Sequence, residues 1–179
     1  MTLKFALGAT ILLATGAIVF ADSFGLPQTQ CTFSDGSSIT FGRKALGVSE
    51  PGADLWRAGD LQATPFTNSE HVRVGGIEVP PGSYTIFVDS SKQMPWTLII
   101  SKKTGEWGIP YPGEQYDLGR ARMGEDGLSP RTEDLTIGCM PSSPAHSPIF
   151  LWMELGQHAA IAKVLASKVV DGKTVWLWY

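Results

Sequence analysis

Two short segments combine cations, an indole ring and a carboxylate in a pattern that could bind an anion or a sugar. Arg43 and Lys44 form the first segment, and Trp56, Arg57 and Asp60 form the second. Guanidinium groups pair with carboxylates through two hydrogen bonds, and they also stack on aromatic rings. The same residues could therefore form an internal clasp of arginine, tryptophan and aspartate. The pattern favours the clasp, with a binding pocket as the alternative.

No catalytic motif accompanies these segments. The sequence has no Gly-x-Ser-x-Gly elbow, no phosphate-binding glycine loop and no His-Glu-x-x-His pair. The adjacent acids Glu125-Asp126 and Glu133-Asp134 would face opposite sides of a strand, so neither pair converges on one bond. We therefore assign no catalytic residue, and the sequence favours a protein that is not an enzyme. The alternative is a hydrolase that uses Asp60 or Glu78 as acid and base.

The composition also limits the cofactors and partners. The chain has three histidines and two cysteines, and the spacing of His71, His146 and His158 does not match a metal-ligand set. We expect neither a metal nor another cofactor. The formal net charge of −3 lacks the excess of cations that nucleic-acid binding requires, which excludes a nucleic-acid partner.

The first 21 residues have the features of a secretory signal peptide. Lys4 precedes an apolar stretch over residues 5–20, and Ala21 offers a small residue before Asp22. The stretch is shorter than the roughly 20 residues that a transmembrane helix needs. We predict a signal peptide over 1–21, export to the periplasm or the medium, and no membrane span after cleavage. A linker over 22–30 and a single domain over 31–179 would follow.

Export changes the interpretation of the two cysteines. Thiols oxidise readily outside the cytoplasm, so Cys31 and Cys139 are predicted to form a disulfide. Two buried free thiols are the alternative. Neither cysteine has the neighbouring His or Cys-x-x-Cys partner that would activate it for catalysis.

Short apolar segments separated by turn signals predict an all-β fold. Asp35-Gly36, Gly75-Gly76 and Asp171-Gly172 each lie between strand-like segments, and these dipeptides favour the turns of β-hairpins. We predict an antiparallel, jelly-roll-like β-sandwich with at most one short helix near the C-terminus. The pattern over residues 158–168 fits a helix and a strand equally well.

Several motifs together resemble a family of exported bacterial proteins catalogued as domain of unknown function 2911. They are Gly42-Arg43-Lys44-Ala45-Leu46-Gly47, Leu55-Trp56-Arg57-Ala58-Gly59, Val79-Pro80-Pro81-Gly82-Ser83-Tyr84-Thr85, Trp107-Gly108, and Tyr116-Asp117-Leu118 with Arg120 and Met123. The family pattern continues after Trp-Arg-x-Gly with an Asn-Glu pair, which Leu61 and Gln62 replace here.

The resemblance implies an exported all-β sandwich with no established activity. It adds Thr64 to the candidate binding residues Arg43, Trp56, Arg57 and Asp60. The expected function is a non-catalytic binding or structural module of the cell envelope, with a small ligand or glycan as its partner. The alternative is the carboxylate-dependent hydrolase, acting on envelope polysaccharides or esters.

Overall fold

The structure is a computed structural model that describes residues 28–33, 36, 38–42, 55–57, 63–91, 94–105, 110–141 and 149–177. Residues 28, 42, 55–57, 128–135, 140 and 141 are described by their backbone alone. The predicted signal peptide lies outside the described residues. The first strand begins at Gln28, within the stretch predicted to be a linker.

The described part of the chain is built almost entirely of strands. In order they are β1 (Gln28–Thr32), β2 (Ser38–Gly42), β3 (Leu55–Arg57), β4 (Thr64–Asn68), β5 (Val72–Val74), β6 (Ile77–Val79), β7 (Gly82–Asp89), β8 (Thr97–Ser101), β9 (Asp117–Arg122), β10 (Gly124–Pro141), β11 (Ile149–Val170) and β12 (Lys173–Trp176). A single turn of 3₁₀ helix covers Glu114–Tyr116.

The strands form two antiparallel sheets. The larger sheet has the order β1-β2-β4-β7-β8-β9, and β3 also pairs with β7. The smaller sheet has the order β10-β11-β5-β6, and β12 also pairs with β11. The predicted all-β antiparallel sandwich is therefore confirmed. Residues 158–168, for which the sequence left helix and strand open, belong to β11.

Side chains of the central strands alternate between the two faces of the larger sheet, and those on its inner face form the core between the sheets. Ile86 and Val88 of β7 and Leu98 and Ile100 of β8 are buried in one large cluster with residues of the smaller sheet. Their neighbour Phe87 lies on the opposite, outer face of the larger sheet, because successive strand residues alternate between faces. Burial of the aliphatic and aromatic side chains on the inner face supplies the main driving force for this packing.

A disulfide links the two sheets. Cys31 of β1, in the larger sheet, is bonded to Cys139 of β10, in the smaller sheet, with 6.1 Å between the two Cα atoms. The predicted pairing of the two cysteines is confirmed. The bond joins positions 108 residues apart in the sequence, so it fixes one sheet against the other.

The hairpin turns have the backbone conformations that their residues favour. Gly75 and Gly76 between β5 and β6 have φ of 59° and 98°, and Asp171 and Gly172 between β11 and β12 have φ of 50° and 73°. Two consecutive positive φ angles are the signature of a type I′ turn. No helix within the described ranges is long and apolar enough to cross a membrane.

Candidate functional site

The structure describes the predicted binding residues only in part. Arg43 and Asp60 lie outside the described residues, and Trp56 and Arg57 are described as backbone positions of β3. Thr64 begins β4 and is 3% exposed, opposite Ile86 of β7. The proposed clasp of Trp56, Arg57 and Asp60 therefore stays a prediction.

Strand β3, which carries Trp56 and Arg57, pairs with the same strand as β4 does, β7. Arg57 of β3 lies opposite Phe87 of β7, and Thr64 of β4 lies opposite the next residue, Ile86. Arg57 and Thr64 thus occupy adjacent positions along the same edge of β7. Ala63, directly before β4, is buried against Phe87 and Ile99 on the outer face of the larger sheet.

The strand register extends one row of residues across this outer face. Arg57 lies opposite Phe87, Phe87 opposite Ile99, and Ile99 opposite Arg120 of β9. The two middle residues are fully buried, which shows that other parts of the chain cover this face. The backbone register therefore brings the predicted residue Arg57 into the same row as a second arginine, Arg120.

A bulge in β9 brings an acid to the same face as Arg120. Ile100 of β8 pairs with Gly119, but the next residue, Ser101, pairs with Asp117, so that Leu118 is an extra residue in β9. A bulge of this kind shifts the alternation of faces by one residue. Asp117 and Arg120 are three residues apart and would face opposite sides of a regular strand. Because of the bulge, both belong to the outer face.

Four side chains meet at this point, and we call them the outer-face cluster: Tyr111, Glu114, Asp117 and Arg120. The Tyr111 hydroxyl donates a hydrogen bond to Asp117 Oδ1, and Arg120 Nε donates to Asp117 Oδ2 at 2.7 Å. Arg120 Nη2 donates to the Tyr111 hydroxyl at 3.1 Å and lies 3.1 Å from Glu114 Oε1. One guanidinium thus connects two carboxylates and a phenol.

Burial and charge set the electrostatics of the outer-face cluster. The side chain of Asp117 is 8% exposed and that of Arg120 is 32% exposed. Burial, with the hydrogen bond to Asp117, raises the pKa of Tyr111 to about 12. Burial lowers the pKa of Arg120, but its hydrogen bonds and attraction to Asp117 and Tyr111 outweigh this effect, so its pKa is raised. At neutral pH the phenol is a proton donor and the guanidinium is a cation.

The cluster rests on an apolar layer. The Tyr111 ring packs edge-on against Phe87, with 5.2 Å between the ring centroids, and Ile99 and Ala63 are buried in the same contact group. Edge-to-face packing is a favourable geometry for aromatic pairs. Tyr111 thus covers the outer face of the sheet with its ring and holds Asp117 with its hydroxyl.

An exposed aromatic residue, Tyr116, lies next to Asp117 in the chain. Tyr116 is the last residue of the 3₁₀ turn that begins with Glu114, and it is 37% exposed. The ammonium group of Lys103 lies 5.2 Å from the centre of its ring. The backbone of Tyr116 is fixed to the sheet, because its carbonyl accepts a hydrogen bond from the Lys102 amide at 2.8 Å. A partly exposed aromatic residue therefore directly precedes Asp117 of the outer-face cluster in the chain.

Of the two acids proposed for the alternative hydrolase, the structure describes Glu78, which lies away from the outer-face cluster. Glu78 of β6 pairs with Arg73 of β5 at 2.6 Å, on the smaller sheet. Across the described ranges, no group of three or more His, Cys, Asp or Glu side chains could hold a metal ion. His71 and His158 each pack against a tryptophan, Trp176 and Trp96 respectively.

The fold and this cluster define a two-sheet antiparallel β-sandwich with a polar site on the outer face of its larger sheet. Residues 23–157 match the family model described as a protein of unknown function, DUF2911. The chain belongs to this family, as the motif resemblance predicted. No curated protein and no solved structure matches the chain.

Sequence patterns reveal little of this cluster. Asp117 and Arg120 belong to the motifs that carry the family resemblance, whereas those motifs include neither Tyr111 nor Glu114. The available signal was the Tyr116-Asp117 pair with Arg120 three residues beyond Asp117. In a regular strand, residues three apart face opposite sides, so strand periodicity argues against contact between Asp117 and Arg120. The contact becomes possible only through the bulge at Leu118.

Proposed function

We propose that this protein is an exported binding module of the cell envelope, and that its ligand is a glycan bound at the outer-face cluster and Tyr116. The observation that carries the proposal is the partly exposed Arg120 guanidinium, which three polar side chains hold in place, in a segment that also carries the exposed residue Tyr116.

Export is supported by two independent features. Residues 1–21 have the charge and the apolar stretch of a signal peptide. The Cys31–Cys139 disulfide suits a compartment that oxidises thiols. A protein with both features would meet the glycans of the cell envelope as its nearest small or polymeric ligands.

The chemistry of the cluster suits a sugar. A pyranose presents neighbouring hydroxyls that can donate to a carboxylate and accept from a guanidinium, and Glu114 and Arg120 offer these groups side by side. The apolar face of the sugar can then pack on an aromatic ring such as Tyr116. Because Asp117 and Tyr111 already hold Arg120 in place, little side-chain freedom would be lost on binding.

The same geometry favours binding over hydrolysis. Both Asp117 oxygens accept hydrogen bonds from within the cluster and the side chain is nearly buried, so it is poorly placed to exchange a proton with a substrate. Glu114 is 79% exposed and lacks the enclosed setting that usually tunes a catalytic acid. Asp60 and Glu78 remain the acids of the alternative hydrolase, which the test below also examines.

An oligosaccharide array that includes neutral and uronic-acid-containing chains tests the proposal. We expect the wild type to bind a subset of these chains. Tyr116→Ala should weaken that binding about tenfold with only a small fall in the melting temperature, because the residue is 37% exposed and its ring contacts Lys103. Arg120→Gln should also abolish binding, with some loss of stability. Tyr84→Phe is the matched control, because it removes a tyrosine hydroxyl that donates to the Pro80 carbonyl instead.

Two results would overturn the proposal. One is a wild-type protein that binds no chain on the array. The other is a Tyr116→Ala variant that binds as tightly as the wild type. Release of new reducing ends from a bound chain by the wild type, but not by Asp60→Asn or Glu78→Gln, would replace the binding module with the hydrolase.

A further inference from the structure

The hairpin of β11 and β12 exposes apolar side chains in an unusual concentration. Val169, Val170 and Val175 are 68%, 44% and 44% exposed, and in the described part of the chain Tyr116 is the one other large hydrophobic residue with comparable exposure. All residues from 168 to 175 are exposed. We call residues 168–175 the projecting hairpin, because neither of its faces is covered by the sandwich.

The exposed valines lie on both faces of this ribbon. Val169 pairs with Thr174 on one face, whereas Val170 pairs with Lys173, and Lys168 with Val175, on the other. A flat protein surface would cover only one of these faces, and an added strand would cover only an edge. A surface that surrounds the tip fits the distribution better.

The base of the projecting hairpin is held in a fixed direction. The Trp176 ring contacts both His71 and Arg73, with its centre 4.2 Å from the Arg73 guanidinium carbon. The Ser167 hydroxyl donates to the His71 carbonyl at 2.7 Å. These contacts hold the base of the hairpin against β5, so its apolar tip points away from the sandwich.

The charge of the projecting hairpin is opposite to that of the whole chain. Lys168 and Lys173 outweigh the single acid Asp171, giving a local excess of one positive charge in a chain whose net charge is −3. On one face the lysines alternate diagonally with Val170 and Val175. Two copies of this hairpin would repel each other, whereas an anionic surface would attract it.

We propose that the projecting hairpin docks on an anionic phospholipid surface, with its valines among the acyl chains and its lysines at the headgroups. Interfacial binding of this kind scales with buried apolar area and with attraction to anionic lipids. Four residues of extended strand span about 13 Å, somewhat more than the Debye length of about 8 Å at physiological salt. The acidic body would therefore remain largely screened from the membrane.

Hydrogen exchange of the full chain tests this inference locally. We expect the amide hydrogens of residues 168–176 to exchange with solvent more slowly when vesicles of phosphatidylcholine and phosphatidylglycerol are present. Vesicles of phosphatidylcholine alone should slow this exchange less. Membrane binding through the apolar residues 5–20 would not protect the amides of the hairpin, so this measurement reports on the hairpin alone. Co-sedimentation with the same vesicles then compares variants of the hairpin, all of which keep residues 5–20 unchanged.

Three variants separate the contributions. Val169→Ser/Val170→Ser/Val175→Ser should lose the exchange protection. Lys168→Gln/Lys173→Gln should weaken vesicle binding about twenty-five-fold, since each surface lysine contributes about one factor of five. Thr174→Ser is the matched control and should behave like the wild type. All substituted residues are exposed, so the melting temperature should not change.

Unchanged exchange in the wild type on anionic vesicles would overturn the inference, as would a triple serine variant that keeps its protection. Concentration-dependent dimers of the wild type that the triple serine variant does not form would assign the hairpin to a protein contact instead.

Discussion

Asp117 is the residue on which the outer-face cluster depends. Its two oxygens accept from a phenol and a guanidinium, and each donor also contacts the other. A nearly buried carboxylate is costly unless it is fully hydrogen-bonded, so the three groups stabilise one another as a unit. Removal of Asp117 would leave the Tyr111 hydroxyl and Arg120 Nε without their shared acceptor.

Tyr111 should make the stability of the protein fall at high pH. Its pKa is raised to about 12 in the folded state from an ordinary value of 10. Between these values the unfolded chain loses the phenolic proton while the folded chain keeps it, so the free energy of unfolding decreases as the pH rises. Below pH 10 both states are protonated, and this contribution is constant.

Thermal unfolding at several pH values between 9 and 12 measures the effect. We expect the melting temperature to fall more steeply in the wild type than in Tyr111→Phe, which has no phenol to ionise. Ultraviolet titration of the folded protein should show one late phenolate near pH 12 that this variant lacks. Equal slopes for the two proteins would contradict the assignment.

At the residue scale, the sequence could not predict the contact that the bulge in β9 makes possible. Chemical type marked Arg57 and Asp60, but it gave no reason to join Asp117 to Arg120, because strand alternation separates residues at that spacing. The extra residue Leu118 changes the alternation. Its presence depends on how β8 and β9 align, which is a property of two strands together.

At the scale of elements, β11 shows why residues 158–168 were ambiguous. The buried residues have odd numbers from Ile149 to Leu155, whereas from Ala160 to Ala166 all the even-numbered residues are buried, together with Leu165. The change occurs around Gly156, whose φ is 64°, where β11 also shifts register against β10. A periodicity of two is therefore broken in mid-strand. The small side chains on the inner face after the break further weakened the apolar pattern.

The same irregular pairing accommodates glycines within β10. Glycine disfavours strands, yet β10 begins at Gly124 and continues past Gly127 to Pro141. Glycine marked bulges in this case and not the ends of strands. The hairpins with two-residue turns were predictable because their register is fixed locally by the turn.

Cross-strand packing in β10 and β11 depends on a glycine. Gly138 lies directly opposite Trp152, and a Cβ atom at this position would overlap the indole ring. We expect Gly138→Ala to destabilise the protein by about 1 to 3 kcal/mol, since overpacking forces side chains from their preferred rotamers. Urea unfolding of the variant and the wild type measures the difference.

A double-mutant cycle identifies the cause of that loss. Trp152→Leu removes the ring, so adding Gly138→Ala to this background should cost much less than it does in the wild type. If the alanine costs the same in both backgrounds, the backbone of Gly138 matters and not the contact with the ring.

At the scale of the molecule, the sandwich is closed by packing and by one covalent bond. The family match ends at residue 157, but β11 continues through the core to Ala166 and pairs with β5 and β12. The Cys31–Cys139 bond fixes β1 to β10 across the two sheets. The compartment in which the protein folds therefore determines whether this connection forms.

Reduction of the disulfide should weaken the whole sandwich. A loop of 108 residues is expected to contribute about 4 to 5 kcal/mol, mainly by restricting the unfolded chain. For a chain of this size, dithiothreitol should lower the melting temperature by about 10 to 20 °C in differential scanning calorimetry. Cys31→Ala/Cys139→Ala should melt near the temperature of the reduced protein and should not respond to dithiothreitol. If both thiols of the wild type react with a maleimide after reduction but the melting temperature stays unchanged, the bond does not stabilise the two sheets against each other.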